Sequence, residues 1–159
     1  MPLLTPVQCR AQCRVDGDYA DSELAWLLQS AEDVAAAYLN RVIFADQAAL
    51  DAALASLPAE AAAAASAYAA AMSAASAEAD HAKADAMRSV ATQKLAAYQL
   101  AERRRLLGVV ANGSILAAIR LTLGHLWANR EDVSVGAVAT ELPLGARAIL
   151  RPYRLVQTP

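Results

Sequence analysis

The chain has 159 residues, 57% of them hydrophobic, two cysteines and a formal net charge of −2, which is enough for one core of ordinary size and predicts a single domain. Much of the apolar fraction is alanine and no run of about 18 strongly apolar residues occurs, so the sequence predicts no transmembrane span. MPLLTPVQCR also lacks the basic and then apolar regions of a secretory signal, leaving the cytoplasm as the default compartment. Residues 1–82 carry 11 acids and 3 bases, while residues 83–159 carry 5 acids and 11 bases. Such polarity fits a nucleic-acid binder with an acidic tail, or a protein whose two ends meet complementary ends of its neighbours.

In chain order, Thr5, Pro6 and Gln8 supply an N-cap, a first-turn proline and a capping-box glutamine for a first helix. On it Cys9 and Cys13 share one face. With no third cysteine and no nearby histidine to complete a metal set, they are expected as small buried apolar residues. Val15 to Asp18 predicts a turn, and Asp21 or Ser22 caps a second helix reaching about Asn40. Its buried stripe is Leu24, Leu27, Leu28, Ala31, Val34, Ala35 and Tyr38, with Trp26 off the stripe and expected as a partly buried edge residue rather than the alternative, an interface anchor, although Trp is enriched at binding hot spots.

A third helix is expected from about Asp46 to Ser56, with a restart after Pro58. No Gly or Pro interrupts Ala59 to Leu107, and 17 of the 28 residues from Ala59 to Ala86 are alanine. Propensity alone then predicts helix over disorder, either as one rod of roughly 75 Å at 1.5 Å per residue or as a hairpin. The few Lys and Arg before Ala86 argue against a lipid-surface helix. His81 lies near Asp80 and Asp85, an i, i+4 imidazole-carboxylate pair that could hold a metal, but one such pair is a weak signal and a solvated surface pair is the expectation. Arg103, Arg104 and Arg105 are consecutive, so they fan over about 200° of a helix rather than lining one groove.

Gly108 ends this segment, and Asn112-Gly113-Ser114 opens a core helix from Ile115 to about Asn129. Ile115, Ala118, Ile119, Thr122, Leu123 and Leu126 form its apolar face, and Gly124 suggests a close helix crossing. His125 is expected as a hydrogen-bonded packing residue, since no Ser, Cys or carboxylate motif accompanies it. Pro143 starts a short last helix with Ala146, Ile149 and Leu150 on its apolar side, and Pro152 stops it.

The stretch from Leu107 to Leu155, containing GVVANGSILAAIRLTLGHLWANREDVSVGAVATELPLGARAILRPYRL, resembles the C-terminal half of the head-tail connector proteins of tailed bacteriophages, the small adaptors that dock beneath the portal. The resemblance lies in Gly124 to Glu131, a Gly-His-Leu-aromatic-x-x-Arg-Glu signature, and in Leu142, Pro143, Gly145, Leu150, Pro152, Tyr153 and Arg154. TPVQCRAQCRVDGDYADSELAWLLQSAEDVAAAYLNR looks like the family's opening, and the alanine-rich middle like an insertion of longer relatives.

The resemblance implies an all-α fold over residues 1–159: a small helical bundle with a long Ala-rich helix or helical hairpin inserted over 45–106, and a short C-terminal helix plus an extended tail. It implies a structural virion protein with neither catalysis nor cofactor, assembled in the host cytoplasm and located in the neck between capsid portal and tail. Its partners would be itself, in a ring of about twelve subunits, the portal, and tail-side neck or tail terminator proteins. Genomic DNA would pass through the channel without sequence-specific binding, and no membrane is involved. Leu142, Pro143, Gly145, Arg151, Pro152, Tyr153 and Arg154 are the expected portal surface, and Arg103, Arg104, Arg105, Arg130 and Glu131 the expected subunit contact. The alternative of another class is a helical DNA-binding protein using Arg103 to Arg105.

Overall fold

The computed structural model describes residues 2–15, 20–129 and 143–156. The expected turn at Asp16 to Asp18, and the expected site residues Arg130, Glu131 and Leu142, lie outside the described residues. The fold is all-α, with six α-helices among the described residues: α1 (Pro6–Cys13), α2 (Asp21–Leu39), α3 (Gln47–Ala77), α4 (His81–Leu106), α5 (Gly113–Ala128) and α6 (Leu144–Leu150). Two compact units divide the chain, one made of Met1–Gln47 with Val109–Pro159 and the other of Ala48–Gly108. The second corresponds to the alanine-rich insertion expected over 45–106.

In the first unit α5 is the common surface on which α1, α2 and α6 pack. Ile115, Ala118, Ile119 and Leu123 of α5 are fully buried with Leu24, Ala31, Ala35 and Leu39 of α2 and Ala146 and Leu150 of α6. Each fully buried Leu or Ile stabilises by about 1.5–3 kcal/mol relative to an exposed one. The Thr5 hydroxyl accepts from the Gln8 amide (3.3 Å) while the Gln8 side chain accepts from the Thr5 amide (2.9 Å), completing the box at the head of α1. Asn112 caps α5 through the Ile115 amide at 3.0 Å. Gly124 does sit where helices cross, but a Cβ there would meet the Gln12 side-chain amide at 3.1 Å rather than backbone.

Two expectations for α2 need correcting. Its N-cap is Ala20, with no side-chain cap bond, and Asp21 lies in the first turn, where Arg10 binds its carboxylate at 2.8 Å. An acid there still suits the positive end of the helix dipole. The buried spine is Leu24, Leu28, Ala31, Ala35 and Leu39. Val34, one residue off that spine, is 37% exposed, and Trp26 is 70% exposed rather than tucked at an edge.

No strand is anticipated by the sequence, yet β1 (Ile43–Phe44) and β2 (Val109–Val110) pair in parallel. The Val109 amide donates to the Val42 carbonyl (2.9 Å) and the Ala111 amide to the Phe44 carbonyl (2.8 Å). These are the segments by which the chain leaves the first unit and returns to it.

The second unit is a hairpin, which resolves the choice between one rod and two helices. Glu60, near the middle of α3, ion-pairs with Arg105 near the end of α4 at 2.6 Å, while Tyr68 and Ala71 further along α3 share a cleft with Ala91 and Lys94 earlier in α4, so the two run antiparallel. The break is made without Gly or Pro. Asp80 caps α4 by accepting from the Ala82 (2.9 Å) and Lys83 (3.2 Å) amides, and Lys83 reaches back to Glu78. The seam is alanine: Ala75, Ala84 and Ala91 are buried.

The restart expected at Pro58 does not occur, because α3 runs through it with Pro58 inside. Alanines on both sides supply enough helix propensity to carry an interior proline that costs about 3 kcal/mol. By length and composition alone α3 could cross a membrane, with a mean hydropathy of 1.2 over 18 residues, which qualifies the sequence expectation of no such segment. Alanine supplies that value. Lys94 of α4 lies level with Ala64 to Ala71, and a charge at mid-bilayer costs about 2.5–3.5 kcal/mol. Pro58→Ala should raise the stability of the hairpin by about 2 kcal/mol, the interior-proline cost less the unfolded-state entropy that proline removes. Denaturant unfolding followed by circular dichroism measures it, and an unchanged midpoint would remove the propensity account of α3.

Candidate functional site

The C-terminal corner of the first unit collects most of the residues expected to face the portal. Pro143 is the N-cap of α6, and Gly145 is exposed, with room for a Cβ 3.7 Å from Leu121. Arg151, Pro152 and Tyr153 form a single 3-10 turn directly after α6. Arg151 and Pro152 are exposed, while Tyr153 is half-buried against the core cluster.

What holds this corner is the C-terminal end of α2. Leu39 offers its carbonyl to the Leu155 amide at 3.1 Å, and the Arg41 guanidinium donates to the Tyr153 carbonyl at 3.3 Å. The guanidinium of Arg154 lies 4.9 Å above the Tyr38 ring, a cation–π contact of about 0.5–1 kcal/mol at an exposed site. Cations gathered at the end of α2 also complement the negative end of its dipole. Burial lowers the Arg41 pKa, although a guanidinium stays charged.

The result is an open groove lined by Tyr38, Leu144, Arg147, Ala148, Arg151, Arg154 and Val156. Leu144 and Val156 are each 80% exposed, and none of the seven lining residues is acidic. Sequence reasoning missed Tyr38, Leu144, Arg147, Ala148 and Val156 as members of this surface. Arg147 carried a usable signal, since it lies four residues before Arg151 and so on the same side of a continuing helix. Tyr38 carried none, because only the docking of the tail brings it here.

The other expected cluster is in the hairpin. Arg103, Arg104 and Arg105 occupy the last turn of α4, where cations are favoured. Only Arg103 is exposed. Arg105 is held by Glu60, whose carboxylate also accepts from Ser56 at 2.8 Å. The hydrogen bond from Arg105 holds Glu60 below the usual carboxylate pKa, and the Lys83 bond does the same for Glu78. Among the described residues no group of three or more His, Cys, Asp or Glu side chains is placed to hold a metal. His81 is exposed at the start of α4 while Asp85 pairs with Arg88 at 2.7 Å. His125 is half-buried, its ring nitrogen 3.3 Å from the Asn129 side-chain amide.

Cys9 and Cys13 are buried and form no disulfide. Burial, and then the neighbouring Cys13, raise the Cys9 pKa, so its thiolate is scarce. Comparison with protein-family models, with curated proteins and with solved structures gives no match.

Two predictions follow from this geometry. A thiol reagent at pH 8 should label the native protein far more slowly than the unfolded chain, with labelling tracking unfolding; rapid native labelling would show the cysteines to be accessible. The hairpin should also lose stability in acid. Glu60 and Glu78 titrate lower when folded than when unfolded, so their contribution is present above the ordinary carboxylate pKa and fades as pH falls through the folded values. Thermal unfolding of E60Q/E78Q should show a flatter pH dependence than wild type between neutral pH and pH 3.

Proposed function

We propose that the chain is a structural adaptor subunit, the head-tail connector of a tailed bacteriophage, which assembles with copies of itself into a closed ring beneath the portal. One observation carries this: five of the residues on which the family resemblance rests, Pro143, Gly145, Pro152, Tyr153 and Arg154, lie together in the segment from the start of α6 to the turn after it. That segment and the residues that follow it supply six of the seven residues that line the groove, among them two highly exposed apolar side chains and three arginines. Contiguous apolar surface with a charged rim is the mark of a protein-docking site. In this proposal the C-terminal segment docks on the portal, tail-side neck or terminator proteins join the opposite face, and the genome slides through the ring. The assembled particle belongs to the virion neck and involves no membrane.

The DNA-binding alternative is weakened by the ion pair between Arg105 and Glu60. A grip on duplex DNA requires cations free to displace counterions from several phosphates. A conduit has the opposite need, since a genome cannot slide past a wall that holds it.

The test is direct. The purified full chain should form rings of about twelve subunits in negative-stain images and in mass photometry, without DNA, and should bind a random duplex only weakly at 150 mM salt. A chain that stays monomeric at high concentration and binds duplex with a steep salt dependence would overturn the proposal.

A further inference from the structure

The most exposed large aromatic among the described residues of the first unit has no explanation in the fold. Trp26 is 70% exposed at the centre of the outer side of α2, and a free-standing tryptophan on a helix surface is costly to leave in water. Its helical neighbours are acidic: Glu23 lies three residues before it and Asp33 seven after, both exposed, and both spacings keep them on the same side. The same unit presents the groove described above, with Leu144 and Val156 open to solvent and Arg151 and Arg154 on its wall. One surface therefore offers an aromatic anchor flanked by carboxylates. The other offers an apolar trough flanked by guanidiniums.

The two surfaces cannot be one self-complementary patch. Trp26 and Tyr38 are twelve residues apart on α2, which places them about 18 Å along the axis and about 120° around it. A contact between them from different copies is heterologous, the kind that generates a ring when the rotation closes. Opposite charge at the rim steers such an encounter and fixes its register, while the aromatic side chain supplies most of the affinity.

We propose that the occupant of the C-terminal groove is the outer face of α2 from a second copy of this chain, with Trp26 as the anchor and Glu23 and Asp33 opposite Arg151 and Arg154. This rests on the ring proposal and deepens it. It moves Arg151 and Arg154 from the portal surface to the contact between neighbours, leaving Pro143, Gly145 and Pro152 for portal docking. The hairpin arginines are then not needed for this contact, in keeping with Arg105 being bound to Glu60.

The experiment uses two full-length variants in sedimentation velocity: E23K/D33K, whose α2 face becomes basic, and R151E/R154E, whose groove becomes acidic. Each alone should sediment as monomer under conditions where wild type assembles, because each carries two like-charged surfaces. An equimolar mixture should assemble, since each variant's altered face then fits the other's. Trp26→Ala, which removes a mostly exposed side chain and puts a stronger helix former in its place, should weaken wild-type assembly by about 30-fold or more, the loss expected of an aromatic hot spot. If both charge variants assemble like wild type, or if the mixture stays monomeric, or if Trp26→Ala assembles unchanged, the proposed contact is wrong while the ring survives. If wild type itself never assembles, the ring proposal fails and this contact with it.

Discussion

The buried side of α5 is the constraint on which the core unit depends. α1, α2 and α6 all pack against this one helix, and its four fully buried apolar residues are what they meet. α6 shows the dependence most clearly. Seven residues form too short a helix to persist alone in water, so α6 exists because Ala146 and Leu150 are held against the core. Its opposite side carries Leu144, Arg147 and Ala148 into the groove. The arginine-lined surface is therefore a consequence of packing on α5 and has no independent means of support beyond the bonds from the end of α2.

Much of this was legible in the sequence, and what was not has physical causes. The α5 face was readable because Ile115, Ala118, Ile119, Thr122, Leu123 and Leu126 follow a helical period, and the first five are buried with Leu126 partly buried against them. The capping box of α1 was readable because its partners are three residues apart. Pro58 misled because local rules assign it a cost without weighing the alanines on either side. The break between α3 and α4 stayed open between a rod and a hairpin because it depends on a cap: Asp80 starts the second helix by satisfying backbone amides, and no Gly or Pro announces it. The β1–β2 pair was invisible for a different reason. Two-residue strands 66 positions apart in sequence have no periodicity to detect.

The candidate site divided in the same way. Pro152, Tyr153 and Arg154 were found through local resemblance, whereas Tyr38 entered the groove only through the tail folding back on α2. Charge reads even less well from sequence. Three consecutive arginines look like a single device, yet Arg105 is consumed by Glu60 within its own hairpin, while Arg151 and Arg154, separated by Pro152 and Tyr153, share one surface. A count of cations per segment describes the field at a distance. What each cation can grip is set by which carboxylate already holds it.

The parallel pairing of β1 with β2 limits how the hairpin between them can vary. Antiparallel strands can be joined by a tight turn, but parallel ones need a crossover of about a dozen residues or more. A shortened chain cannot replace α3 and α4 with a two-residue loop without giving up the hydrogen bonds from Val109 and Ala111. Above that floor nothing in the pairing depends on how far the helices extend, because β1 and β2 bond to one another and not to the helices between them. Such an arm can grow or shrink by whole helical turns among descendants of one ancestor while the core they share stays the same, so its length is free to diverge wherever neighbouring molecules demand a different reach.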